Sequence, residues 1–293
     1  MIEAPRGAVI AVVGPTATGK SDLALDLAER EPSEIVNADA MQLYRGMDIG
    51  TAKVPPDARR GIPHHQLDVL DVTEEASVAA YQRAARADIE QIRAAGKRAI
   101  LVGGSGLYVR AVLEHFEFPA TDPEVRARLM ERAEQIGPGL LHDELARRDP
   151  EAAAQIDRAN TRRIVRALEV IELTGAPFTA SLPDPTYVYP TVAVGIDVDG
   201  AALDARINAR AREMFTRGLV EETEALLGRG LAEGKTASRA VGYQQAIDVI
   251  AGRCTRAEAI EQVALATRQL ARRQRKWFKR DNRITWIGQN ETL

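Results

Sequence analysis

Residues 8–13 read Ala-Val-Ile-Ala-Val-Val and run directly into Gly14-Pro15-Thr16-Ala17-Thr18-Gly19-Lys20-Ser21. A continuous apolar run that stops at a glycine is the pattern of a parallel strand covered on both faces. The octapeptide fits GxxxxGK[ST], and a helix is expected from Lys20 to Arg30, the context that gives this motif its meaning. Glycines let backbone amides approach a phosphate closely, and the helix amino terminus adds partial positive charge. Lys20 supplies a full charge, and the Ser21 hydroxyl can ligate a magnesium ion riding on the phosphates. All eight residues of this P-loop are therefore candidate diphosphate ligands. The loop alone does not choose between ATP hydrolysis, phosphoryl transfer and departure of diphosphate from carbon.

Further strands are expected at Glu34–Val36, leading into Asn37-Ala38-Asp39, and at Arg98–Val102, ending in Gly103-Gly104-Ser105-Gly106. A helix is expected over Val78–Ala95 between them. Strands alternating with helices describe an α/β fold, a P-loop NTPase-like parallel sheet flanked by helices, with ligands along the carboxyl edge of the strands. From Asp122 to Thr174 strand patterns vanish and helical ones, punctuated by Gly137-Pro138 and Asp149-Pro150, take over. Ala176–Pro190 is rich in proline and turn residues, and Thr191–Val198 resumes a strand. The expected division is a core over 1–120 and 190–293, interrupted by a smaller helical insertion over 121–189.

The 293 residues and 45% apolar content suffice for a full core. Cys254 alone cannot form an internal disulfide, and His64, His65, His115 and His142 lack zinc-ligand spacing. No signal-peptide pattern precedes Gly7 and no stretch approaches a membrane span, so a cytoplasmic protein with no membrane contact is expected. A monomer is the expected state, though nothing in the residues bears on self-association.

Net charge is −3, yet Arg268–Arg283 holds eight basic residues against Asp281 alone, leaving −10 for the remainder. On a helical wheel Ile260, Val263, Leu270 and Trp277 form an apolar seam, with Arg268, Arg272, Arg275 and Lys279 opposite. A charge run is usually a solvated face, but ordinary faces mix signs, and no acid lies between Arg268 and Arg280. Uncompensated repulsion there points to a polyanionic partner.

Asp39-Ala40-Met41-Gln42, followed by Leu43-Tyr44-Arg45-Gly46-Met47-Asp48-Ile49-Gly50-Thr51-Ala52-Lys53, resembles the signature of tRNA dimethylallyltransferases, the IPP transferase family. Pro63–Asp68, Val102–Tyr108, Arg166–Val170 and Val241–Gln244 match in family order along nearly the whole chain. The resemblance implies transfer of a dimethylallyl group from dimethylallyl diphosphate to the exocyclic amine of the adenosine 3′ of a tRNA anticodon, with Mg2+ as cofactor. Its implied roles are Asp39 as general base, Lys20 and Arg206 as catalytic cations, and Gly14–Ser21 with Arg210 as donor site. It also implies tRNA contacts at Asp39, Ala40, Met41, Gln42 and Ser105, at Arg126, Arg162, Arg163 and Arg166, and at Arg239, Gly242 and Tyr243. Arg272, Arg273, Gln274, Arg275, Lys276, Trp277 and Lys279 complete that set. Ser105 stands where the family usually has threonine, and Gly106 and Gln244 also depart from the commonest residues.

Read without the resemblance, Asp39 is open to three roles: base, structural cap or magnesium ligand. Arg206 and Arg210, four apart on one helix face, equally suit a solvated surface paired with Asp204 or Glu213. Arg126, Arg162, Arg163 and Arg166 equally serve surface solubility. A small-molecule P-loop kinase, an adenylate isopentenyltransferase and an RNA-binding nucleotide switch are the competing readings of the whole.

Overall fold

The computed structural model describes residues 4–116, 118, 119, 121–178 and 184–288. In chain order its elements are β1 (Val9–Val13), α1 (Lys20–Ala28), β2 (Ser33–Asn37), β3 (His64–His65), α2 (Val78–Ala94), β4 (Arg98–Gly103) and α3 (Gly106–Leu113). Then come β5 (Glu114–His115), α4 (Pro123–Ile136), α5 (Pro138–Arg148), α6 (Pro150–Gln155), α7 (Thr161–Thr174) and β6 (Asp184–Tyr187). The chain continues with β7 (Thr191–Asp197), α8 (Gly200–Thr216), α9 (Leu219–Leu227), α10 (Tyr243–Ile250), α11 (Arg256–Phe278) and β8 (Ile284–Gly288).

Six parallel strands form one sheet in the order β3-β2-β4-β1-β7-β8. β1 is buried at every position, and its side chains alternate between two cores, as the two-residue period of a strand requires. Val9, Ala11 and Val13 pack with Tyr81 and Ile89 of α2 and Val109 of α3, whereas Ile10 and Val12 pack with Leu25 and Ala28 of α1. Burial of both faces is the physical reason the strand reads as an unbroken apolar run. The chain leaves β1 toward β2 and β4 on one side and later fills β7 and β8 on the other, so the carboxyl end of β1 lies at the point where strand order reverses.

The chain divides into two compact units, 4–113 with 187–288 and 114–186 among the described residues. The second unit thus begins earlier and ends earlier than the 121–189 expected from sequence, and it is not purely helical. β5 and β6 pair as a two-stranded ribbon at its ends, and part of the proline-rich segment read as a connector is β6. Residues 179–183 of that segment lie outside the described residues. Within this unit α4–α7 enclose their own core around Leu141, Leu145, Ile164 and Leu168. β8 and the two-residue β3 were not expected either, because strands so short or so mixed carry no clear periodicity. Among the described residues no helix is long and apolar enough to cross a membrane.

The carboxyl ends of β2 and β4 touch. A Cβ at Gly103 would lie 2.2 Å from the carbonyl oxygen of Ala38. Gly103→Ala should therefore destabilise the fold by about 1–3 kcal/mol, read as a lower urea midpoint at unchanged slope.

Candidate active site

The P-loop leaves β1 through Gly14 and reaches α1 through Gly19, both with positive φ, and Ala17 between them is held at φ 65°. A non-glycine residue in that region is strained, and such strain is typically found where a loop must wrap a ligand. Thr18 Oγ1 donates to the Pro15 carbonyl at 3.0 Å, and the Lys20 ammonium folds back onto the same oxygen. The loop is braced from α11: Gln274 Oε1 accepts from the Thr16 amide at 2.9 Å, and Gln274 Nε2 donates to the Gly104 carbonyl at 2.9 Å.

Asp39 follows β2 and caps a short 3-10 turn, Ala40–Leu43, its carboxylate accepting from the Met41 amide at 3.0 Å. Asn37 fixes the approach to Asp39, accepting its amide at 3.0 Å while donating to its carbonyl at 3.0 Å. Ser105 Oγ accepts from the Ala40 amide at 3.3 Å, so the hydroxyl shared by serine and threonine is the part this contact uses. Gly106 has a local reason: a Cβ there would lie 2.2 Å from Trp277 Nε1. Gln244 is exposed at the start of α10, its amide 3.5 Å from Asp248.

These elements enclose a cavity of two adjoining lobes, about 330 Å³ and 320 Å³. The first is lined by Thr16, Ala17, Gly19, Lys20 and Ser21 of the loop. The second is mainly apolar, with Ile207, Ala211, Met214, Val241, Val263 and Leu270 on its wall. Asp39, Thr16, Arg210 and Gln274 line both. Burial lowers the pKa of Lys20 to about 8, with Arg210 adding to the effect and Asp39 opposing it. Burial raises that of Asp39, against the pull of the Met41 amide, Lys20 and Gln42. Burial also lowers that of Arg210. Two cations and one carboxylate around one cavity leave a net positive site, suited to a polyvalent anion.

Arg210 lines the cavity, while Arg206, one turn earlier on α8, is not part of either wall. Arg239 reaches the second lobe, and Ala40 and Met41 line it beside Ser105. Gln42 lines the first. Tyr243, expected at the tRNA, is wholly buried and donates to Glu222 Oε1 at 2.6 Å, so its side chain is a core element of this structure. Gly242 is buried beside it as the cap of α10. In the other unit Arg126 and Arg166 each meet Glu169 at 2.8 Å. Glu169 is fully buried; burial pushes its pKa up, but the two guanidiniums prevail and hold it low. Those arginines satisfy a buried acid, whereas Arg162 and Arg163 are exposed at the start of α7.

α11 differs from the helical-wheel reading. Its buried face is Ala259, Val263, Ala264, Ala271 and Phe278, and Trp277 is 43% exposed. Trp277 instead sets one edge of its indole against Gly106 and leaves the rest of its ring exposed. The expected uncompensated repulsion is also corrected. Asp197, ending β7, pairs with Arg275 at 2.7 Å and Lys279 at 2.9 Å, and Asp204 approaches Arg272 at 3.7 Å. Arg268 donates to Asn208. Among the described residues no acid pairs with Arg273, Lys276 or Arg280. A count along one helix cannot see acids delivered by a strand end and a neighbouring helix.

A parallel α/β sheet with a phosphate loop at the reversal point, and a cavity shared between that loop and a carboxylate, defines a P-loop NTPase-like scaffold. The family model described as IPP transferase matches residues 42–281. A tRNA dimethylallyltransferase of Salinispora arenicola is 60% identical over 281 residues, covering 96% of this chain and 82% of its own. One of Streptomyces avermitilis is 60% identical over 285 residues, covering 97% and 91%. Among solved structures, the tRNA isopentenylpyrophosphate transferase of Bacillus halodurans superposes with a TM-score of 0.72 at 38% identity, over 97% of this chain and 90% of that one. A eukaryotic dimethylallyltransferase acting on tRNA gives 0.82 at 25% identity, over 97% and 74%. The chain belongs to the IPP transferase family.

Because Lys20 titrates near 8 in the ligand-free protein, an alkyl diphosphate should bind with proton uptake above that pH, and its affinity should fall as pH rises further. Calorimetry in buffers of different ionisation enthalpy reads the uptake, and Lys20→Gln should abolish it. The same shift bears on folding: native Lys20 binds fewer protons than unfolded Lys20 between about 8 and 10.5, so its penalty on stability is present at neutral pH and relieved across that window.

Proposed function

We propose that this chain transfers a dimethylallyl group from dimethylallyl diphosphate to the N6 amine of the adenosine 3′ of the anticodon in tRNA, releasing diphosphate. The observation that carries the reading is the placement of Asp39 on the wall of both lobes, with the P-loop and its Lys20 in one and a mainly apolar surface in the other. It agrees with the activity for which relatives 60% identical to this chain are named.

An adenine amine is a weak nucleophile because its lone pair is delocalised into the ring. As the N6–carbon bond forms, Asp39 accepts the N6 proton, a task suited by the burial that raises its proton affinity. The allylic carbon–oxygen bond breaks and its electron pair passes to the bridging oxygen of the diphosphate. P-loop amides, Lys20 and Arg210 stabilise the charge that gathers there. Arg210 takes the role expected of Arg206, since it lines the cavity.

Among the described residues no cluster of three His, Cys, Asp or Glu could hold a metal. The Ser21 hydroxyl on the first lobe, beside Lys20, suits a magnesium ion carried by the diphosphate. When bound, it supplies further neutralisation of the leaving group. The RNA meets the cations that no internal acid occupies, Arg273 and Lys276 of α11 with Arg280 just beyond it, and the exposed Arg162 and Arg163 of the second unit. A loop base turned out of its stack enters the cavity at little unpairing cost.

Incubating the protein with dimethylallyl diphosphate, magnesium and unmodified tRNA should add one five-carbon group to a tRNA adenosine by mass spectrometry. Unmodified tRNA together with phosphoryl transfer from ATP to a small molecule would remove the proposal. Asp39→Asn keeps the acceptor that caps the turn and should lower turnover by roughly 10²- to 10⁴-fold while tRNA still binds. Replacing Arg273 and Lys276 by alanine should reduce the salt dependence of tRNA binding by about one unit of slope for each phosphate no longer neutralised.

A further inference from the structure

The turn that follows the 3-10 segment, residues 48–52, forms a wall common to both lobes. Thr51 and Ala52 line each of them, and the Gln42 side chain, adjoining Asp39, donates to the Thr51 carbonyl at 3.0 Å. What fixes the turn is a carboxylate from α9. Glu222 Oε2 accepts from the Ile49 amide at 2.9 Å and the Asp48 amide at 3.3 Å. Its Oε1 accepts from the Gly50 amide at 3.4 Å and from the Tyr243 hydroxyl at 2.6 Å. Three consecutive amides converging on one anion form a nest of the kind that grips phosphate, filled here by the chain's own side chain.

The arrangement is tight. Tyr243 is fully buried, and its ring occupies the space a Cβ on Gly50 would need, with Cε2 2.4 Å from that position. At the far end of the turn the buried Lys53 ammonium holds the Tyr44 carbonyl at 2.6 Å, Asp48 at 2.8 Å and Asp68 at 2.6 Å. Lys53 thus ties the turn to the segment that carries Asp39. Glu222 joins three consecutive amides of the turn to the helical part of the core, with the Tyr243 hydroxyl beside it at Gly50.

We propose that Glu222, oriented by Tyr243, is a positioning residue for prenyl transfer: it sets the Thr51–Ala52 wall so that the two substrates meet beside Asp39. The inference rests on the proposed function, and it concerns orientation of substrates, since neither residue lines the cavity. A glutamine at 222 retains one carbonyl oxygen and presents a donor where the other oxygen stood, so part of the nest and the tyrosine hydroxyl lose their acceptor.

The test compares wild type, Glu222→Gln, Tyr243→Phe and the double variant, using tRNA prenylation kinetics per folded molecule and hydrogen exchange of residues 47–53 without substrates. Glu222→Gln should lower kcat by about 10- to 100-fold, while KM for dimethylallyl diphosphate stays within about threefold because the P-loop is untouched. Exchange at the amides of Asp48–Gly50 should quicken. Tyr243→Phe should produce a smaller loss, and adding it to Glu222→Gln should lower kcat no further, because it acts through the same carboxylate. Unchanged kcat with quickened exchange, or additive losses in the double variant, would overturn the proposal. Should Glu222→Gln fail to fold, Tyr243→Phe decides alone: a lower kcat with quicker exchange supports the proposal, and wild-type kcat overturns it. Wild type that transfers nothing to tRNA would instead indict the functional reading.

Discussion

Lys20, Arg210 and Asp39 gather around one partly enclosed cavity, and the cost of keeping three charges there shapes the rest of the molecule. Burial drives Lys20 and Arg210 toward neutrality and Asp39 toward protonation. Asp39 and Lys20 support each other's charge and two backbone amides support Asp39, whereas Arg210 opposes Lys20 and is itself supported by Glu213 and Asp22. The excess positive charge is best relieved by an anion bound through the amides of the P-loop. Supporting such a site requires rigid surroundings, because a charge displaced by an ångström in a low-dielectric cavity loses much of its interaction energy. The two-sided burial of β1 supplies that rigidity on one side, and the Asn37, Ser105 and Met41 contacts around Asp39 supply it on the other.

One helix connects the charged cavity to the protein surface. α11 buries Ala271 and Phe278 against the sheet-bearing unit, and Gln274 bridges the P-loop and the Gly104 turn. Arg275 and Lys279 are drawn to Asp197, and the Lys279 ammonium also lies 4.0 Å from the Trp286 ring centroid. Internal pairing therefore commits part of the basic run to holding the helix in place and leaves a smaller set of cations without an acidic partner among the described residues. The same division holds in the second unit, where Glu169 engages Arg126 and Arg166.

Much of this was legible from residue order. The P-loop, β1, β2, β4, β7 and α2 follow from local patterns, since a two-residue or 3.6-residue period is written in neighbouring positions. The Asp39–Lys53 string marked the wall of the cavity, though not its shape. β8 and the β5–β6 ribbon were illegible because short pairings depend on partners far away in sequence. Tyr243 looked like a recognition residue by motif, yet its hydroxyl serves Glu222, a residue that no motif singled out.

The sequence by itself determined that a phosphate loop would stand at the end of a buried parallel strand, that an acid would follow the next strand, and that cations would gather on a late helix. Those are properties of short segments, set by hydrophobic period, glycine freedom and local charge. Only the tertiary structure decided which cations are free, which arginine of α8 faces the cavity, and how the turn after Asp39 is held. These depend on residues such as Asp197, Glu169 and Glu222, brought to Arg275, Arg126 and the Asp48 amide across 78, 43 and 174 positions of the chain by the packing of separate elements.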